Sequence, residues 1–408
     1  MSKWEEKRLE EIIDVNPPVK LKKGESYPFI DIDKVSPTRR SVTNEEVKVY
    51  DGQSSSKFCD GDTVFSRITP CLENRKIAKV SINGDAAFGS TEFYVFRAKK
   101  KKADARFTYY LTSSDAVVLP AINSMTGASG RQRADKRFIQ RLKLNLPDLP
   151  TQERIADVLS AYDDLIDANN RRIELLEQTA QELYKEWFVR FRFPGYENAQ
   201  FEDGLPEGWS YVRFGKAIDI IDGDRGVNYP KQEEFYPEGD CLFLNAGNVT
   251  TKGFDFSSCA YITKEKDTIL RKGKLQHGDV VLTTRGTVGN VAFYNETMTF
   301  SEMRINSGMV ILHNLGVVSP EYIYTALRHE YLQKLMTLYA SGSAQPQLPI
   351  KDMKRMKIIK ADAKTMERFT EMSADIYSQI SLLIMKNKTL AKQRDMLLPR
   401  LMSGKLEV

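Results

Sequence analysis

At 408 residues, with 41% hydrophobic and 10% aromatic side chains, the chain is too long for one ordinary core and implies two or more domains, each able to bury substantial apolar surface. A formal charge of +5 permits a polyanionic partner without demanding one. Four scattered cysteines (Cys59, Cys71, Cys241, Cys259) and three histidines (His277, His313, His329) argue against a structural zinc site, and neither a secretion leader nor an apolar run of about 18 residues is present, so no membrane partner and a cytoplasmic location are expected.

In chain order, the first stretch that raises a chemical question is Asn16-Pro17-Pro18-Val19. Adenine amino-methyltransferases use an Asn-Pro-Pro tetrapeptide closed by an aromatic residue that stacks on a flipped base. Here the fourth residue is Val, and only fifteen residues precede Asn16, too few for a cofactor-binding βαβ unit. A Pro-rich turn is the simpler reading.

Residues 1–150 alternate short apolar runs with Gly, Asp and Asn, the pattern of a sheet-rich module with a few helices. From Thr151 the turn residues vanish. Ile155, Leu159, Tyr162, Ile166, Asn169, Ile173, Leu176, Ala180, Leu183 and Trp187 then follow in four- and three-residue steps, a heptad seam that places a long helix in 151–192.

Residues 193–362 repeat the first module. Trp4, Leu9, Ile13 and Asp14 answer Trp209, Phe214, Ile218 and Asp219; "FIDIDKV" from Phe29 answers "FLNAGNV" from Phe243; "GDTVF" from Gly61 answers "GDVVL" from Gly278; "FYVF" from Phe93 answers "MVIL" from Met309. "TGASGRQR" (Thr126 to Arg133) answers "SGSAQPQ" (Ser341 to Gln347). Residues 363–408 repeat the helix: Phe369, Ser373, Ile376, Ile380, Leu383, Asn387, Leu390, Arg394, Leu397 and Leu401 continue a seam, which Pro399 is expected to end near Leu398.

The expected fold is therefore α+β: two sheet-rich modules in pseudo-twofold arrangement, separated by two long antiparallel coiled-coil helices. About 38 residues at 1.5 Å each make such a rod roughly 57 Å long. The alternative is that each helix packs only on its own module. Asn169 and Asn387 occupy heptad positions that do not coincide between the copies, so nothing requires them to pair.

The strings "GLPEGW" (Gly204 to Trp209), "LYKEWF" (Leu183 to Phe188) and "RDMLLPRLMSGKL" (Arg394 to Leu406) carry a more specific message. Together with the module-helix-module-helix order over the whole chain, they resemble the specificity subunit of type I restriction-modification systems. That resemblance implies two target-recognition domains, each reading one half of a bipartite asymmetric site in double-stranded DNA. It also implies a chain that is not itself an enzyme and has no cofactor of its own. S-adenosylmethionine, ATP and Mg belong to its methyltransferase and restriction partner subunits, the methyltransferase present in two copies. A missing G-x-x-x-x-G-K-[ST] loop agrees with this. Two other readings stay open, a stand-alone adenine methyltransferase using Asn16 and a structural adaptor that binds proteins.

Reading a duplex needs cations and backbone amides for phosphates, and forked or amide side chains for base edges. The first loop offers Ser129, Arg131, Gln132 and Arg133, followed by Lys136 and Arg137; the second offers Ser343, Gln345 and Gln347. Arg67 and Arg285, each beside a strand opened by a Gly-Asp pair, are further candidates with a surface salt bridge as the alternative, whereas the Lys99 to Lys102 run is expected to be a solvated turn. Trp187, Phe188 and the outer helix faces are expected to dock methyltransferase subunits, with the charged Asp163, Asp164, Arg171 and Arg172 either part of that surface or only solubilising.

Overall fold

A computed structural model describes residues 4–37, 39–43, 46–128, 130–300, 302–342 and 345–408. The chain divides into two compact units, Met1–Ile166 with Thr389–Val408, and Asp167–Lys388.

In the first unit a five-stranded sheet has the spatial order Ile13–Val15, Phe93–Ala98, Thr63–Ser66, Ile77–Ser81 and Ser41–Thr43, with only the last pair parallel. A four-stranded sheet contains Ser26–Ile30 paired parallel with Ala87–Gly89. The second unit repeats the scheme. Its larger sheet runs Ile218–Asp222, Met309–Asn314, Asp279–Thr283, Val291–Tyr294, and its smaller one pairs Cys241–Leu244 parallel with Met303–Ile305. Even the register is kept: Phe93 lies opposite Ser66, and Met309 opposite Thr283.

The repeated Gly-Asp pair has a shared mechanical role. Gly61 (φ +80°) and Gly278 (φ +91°) supply the left-handed turn that enters the central strand. The next carboxylate ties that turn back on itself, Asp62 accepting from the Cys59 N–H and Asp279 from the Gln276 N–H, each at 2.7 Å. Each Asp also meets a nitrogen-bearing side chain on the neighbouring strand, the Arg97 guanidinium in the first unit (2.7 and 2.6 Å) and the His313 ring Nδ1 in the second (2.7 Å). A buried carboxylate is tolerated when it is bonded on both sides in this way.

The long helices span Leu149–Tyr184 and Ala363–Met402 and contribute to both units. In the second unit Asn169 faces Asn387 and Arg172 faces Gln379, so the helices run antiparallel there. Ile173, Phe369 and Ile380 are buried, and Leu176, Leu183, Ile376 and Leu383 pack beside them in one core shared with module residues such as Trp209 and Tyr322. In the first unit Ile155 and Leu159 are buried with Leu397 packed against them, alongside Phe107 and Tyr110. Tyr162, Ile166 and Leu390 are half-buried. Seam packing and module packing thus occur together, because each helix is apolar over more than one stripe.

The modules grip the helices through matched polar contacts. Tyr110 donates its hydroxyl to Asp163 in the first unit; at the corresponding positions of the second, Thr325 Oγ1 and Tyr377 Oη lie 2.6 Å apart. The large and small partners have exchanged sides.

Three expectations need correction, and the pairing of Asn169 with Asn387, which the sequence leaves open, is decided. The second helix continues through Pro399 to Met402: so close to the end, the ring removes one hydrogen bond, and the Ser403 hydroxyl donates to the Pro399 carbonyl. Asn169 and Asn387 do pair, since antiparallel packing sets register independently of heptad labels. Trp187 and Phe188 are 5% and 1% exposed, buried against Phe369, Trp209 and Tyr322, and offer no docking surface. Asp163 is also buried, held by Tyr110 and Arg394. Among the described residues no helix is long and apolar enough to cross a membrane.

Candidate nucleic-acid interface

Each unit presents one glycine-turned loop, built the same way. In the first, Thr126 and Arg133 exchange backbone hydrogen bonds (3.1 and 3.0 Å), closing the segment between them. The Thr69 N–H donates to the Gln132 carbonyl (3.0 Å) and the Ala134 N–H to that of Arg67 (2.8 Å), which moors the loop to the end of the central strand. In the second, Ser341 and Gln347 exchange the same pair (2.9 and 2.8 Å), and the Leu348 N–H donates to the Thr284 carbonyl (2.9 Å).

The second position of each loop is glycine for a physical reason. Gly127 has φ +125° and Gly342 φ +101°, and a Cβ would stand 3.2 Å from the Arg131 carbonyl oxygen or 2.9 Å from that of Gln345. Side-chain-bearing residues are strained there on both counts.

Although the platforms match, their side chains do not. In the first loop Arg133 donates from Nε (2.9 Å) and Nη2 (2.7 Å) to the two oxygens of Glu92, and Arg67 Nε reaches the same carboxylate at 3.2 Å. Hydrogen bonding from Arg133, with the Arg67 charge behind it, holds the Glu92 carboxyl below its ordinary range. The Arg67 guanidinium also lies over the Tyr94 ring, 5.5 Å from its centroid. Arg131 and Arg137 are exposed, their side chains free of partners among the described residues; Gln132 and Lys136 are half-buried. Lys136 opens a short helix whose cap is Asp135, accepting from the Phe138 N–H at 2.8 Å.

The second loop exposes Gln345 and Gln347. Arg285 forms a bridge with Gln347, and its Nε is buried with no hydrogen-bond partner among the described residues. Arg67 and Arg285 are not equivalent: the backbone bonds match Arg67 with Thr284. Ser129 and Ser343 lie outside the described residues.

Other candidates separate from this surface. Asn16 (φ +56°) accepts the Val95 N–H on its Oδ1 (2.8 Å) and donates its own N–H to the Val95 carbonyl (2.7 Å). Its amide thus extends a strand pairing that Pro17 cannot continue, which commits it to structure. Lys100 to Lys102 form a turn, and Lys99 is tied down by the Glu10 carbonyl at 2.5 Å. Sequence reasoning missed Glu92 altogether. The repeat held a signal for it, because the aligned strings "STEFYVF" and "NSGMVIL" put a carboxylate opposite Gly308.

Residues 1–178 and 206–381 match the family described as the type I restriction modification DNA specificity domain. The chain belongs to this family. Among its specificity-subunit relatives, the type I restriction enzyme MjaIX specificity subunit of Methanocaldococcus jannaschii is 24% identical over 99% of this chain and 94% of its own. The HindI specificity subunit of Haemophilus influenzae is 23% identical over 88% and 90%. The crystal structure of a type I restriction-modification system S subunit from M. genitalium covers 98% of this specificity-domain chain and 96% of its own at 13% identity, with a TM-score of 0.54, and shares its fold.

Proposed function

We propose that this chain is the DNA-reading specificity subunit of a cytoplasmic type I restriction-modification enzyme. In this reading each module reads one half of a bipartite, asymmetric duplex site across an unread spacer. The chain supplies recognition and no chemistry; methyl transfer from S-adenosylmethionine and ATP-driven translocation with Mg belong to two methyltransferase subunits and to restriction subunits that assemble on it.

The observation that carries the reading is a single loop platform built twice with different reading groups. The first loop carries guanidinium forks, Arg131 and Arg133, suited to guanine O6 and N7 or to phosphate; the second exposes the amides Gln345 and Gln347, suited to adenine N6 and N7. Duplicate scaffolds bearing unlike donors are what an asymmetric two-part sequence requires. Arg285, bridged to Gln347, adds a cation to the second platform.

The test is to co-express the chain with its methyltransferase subunits and to map methylated adenines across the host genome. A split motif with an unread centre is the expected result. A continuous motif, or methylation that does not depend on this chain, would overturn the reading.

A further inference from the structure

Resting on that reading, we propose that Glu92 is a specificity-determining positioning residue: it holds Arg133 so that the outer fork of the guanidinium meets a guanine edge in the first half-site. Glu92 grips Arg133 from the side, through Nε and Nη2 at 2.9 and 2.7 Å. That leaves both protons of Nη1 and the outer proton of Nη2, apart from a long 3.5 Å approach of Nη1 to the Arg131 carbonyl. Paired end-on N–H groups are the set that guanine O6 and N7 accept.

Exposure orders the two groups. The Glu92 side chain is 20% exposed and that of Arg133 44%, so the carboxylate stands behind and the guanidinium in front. The carboxylate is itself anchored, since Arg67 bonds it while stacking over Tyr94, whose hydroxyl donates to the Ala134 carbonyl at 2.7 Å. Fixing the plane of a flexible guanidinium removes entropy that would otherwise be lost on contact with a base. An acidic group so near a phosphate-binding surface repels DNA, a cost that is offset if it directs the cation in front of it.

The second unit supplies the internal comparison. At the matching backbone positions Arg67 is replaced by Thr284, Glu92 by Gly308 and Arg133 by Gln347. All three members of the cluster are absent together from the second unit, whose loop between Ser341 and Gln347 carries no arginine. A carboxylate serving only to fasten the loop would be needed in both, because both are moored by the same backbone bonds.

The experiment uses the full chain assembled with its methyltransferase subunits and a pool of duplexes randomised at every position. Glu92→Ala and Arg133→Ala are each expected to lower the preference for guanine at the same base pair of the first half-site by about tenfold, with the second half-site unchanged. Glu92→Ala also releases Arg133 toward phosphate, so log K against log salt steepens by about one; Arg133→Ala does not steepen it. Glu92→Gln, which keeps the shape and one acceptor, falls between wild type and Glu92→Ala, and intact selection of the second half-site reports a folded chain. If Arg133→Ala relaxes one pair while Glu92→Ala relaxes none, or weakens every first-half position alike with no change in salt slope, the assignment of Glu92 is overturned and the functional reading stands. A wild-type complex that selects no two-part sequence overturns both.

Discussion

Asn169 donates its side-chain amide to Asn387 Oδ1 at 2.7 Å, and Asn387 donates in turn to Asn170 at 2.9 Å. Asn169 is only 7% exposed, so this polar step sits inside the helix pair of the second unit. Amides buried in a seam fix register at some cost in stability. Asn169→Ala should destabilise that unit by about 1 to 3 kcal/mol because Asn387 loses its donor, whereas replacing both by Leu should be nearly neutral. A double-mutant cycle by chemical denaturation checks this, and strictly additive single effects would refute it.

Arg285 pairs with Gln347 across an isolated bridge at the mouth of the second loop, and its Nε is buried without a hydrogen-bond partner among the described residues. Arg285→Ala should weaken discrimination in the second half-site by about 1 to 3 kcal/mol and leave the first untouched. Competition binding with duplexes altered in one half at a time measures it; an equal loss in both halves would place Arg285 outside the reading surface.

Gly127→Ala and Gly342→Ala force a Cβ into left-handed backbone beside a carbonyl oxygen. Each should cost about 1 to 3 kcal/mol locally. Because the strain is confined to an exposed loop, the melting temperature should move little while affinity for one half-site falls, and for a different half in each variant. Parallel melts and half-site binding would expose an error here if both halves responded to either change.

Glu177 and Arg328 form an ion pair at 2.7 Å with Tyr324 beside them, at side-chain exposures of 11% and 15%. Arg328→Met alone should cost about 3 to 5 kcal/mol by stranding the carboxylate, and adding Glu177→Leu should recover most of it. Denaturation of the single and double variants decides; a double variant as unstable as the single would mean that the pair stabilises in its own right.

Asp267 bonds Arg304 and Lys274 in the second unit. Burial opposes its ionisation, but the bonds to Lys274 and Arg304 outweigh it and hold the carboxyl below its ordinary range. With the folded value below the unfolded one, its contribution is complete above the unfolded value, about pH 4, and fades as pH falls through the folded value. The gap in melting temperature between wild type and Asp267→Asn should therefore be wide at neutral pH and close in acid. A gap that stays constant into acid would show that Asp267 acts through packing alone.

Much of this architecture was legible in the chain itself. The Gly61-Asp62 and Gly278-Asp279 pairs each mark the start of a strand, and the alignment of Thr126 to Arg133 with Ser341 to Gln347 corresponds to two equivalent loop platforms in the fold. Helix termini were less legible, because Trp187 and Phe188 follow an amphipathic helix whose last turn is π-helical and turns both rings inward.

Sequence by itself determined the duplication, the sheet-rich character of both modules and the correspondence of the two loops. These follow from side-chain alternation and from the internal repeat, which are written in local strings of residues. Tertiary structure alone decided that Asn169 meets Asn387, that Arg133 is gripped by Glu92 while Arg285 Nε has no partner among the described residues, and that Asp163 is buried. Glu92 and Arg133 are 41 residues apart, and whether a charge is paired or left open depends on how distant segments cross, which no local pattern encodes.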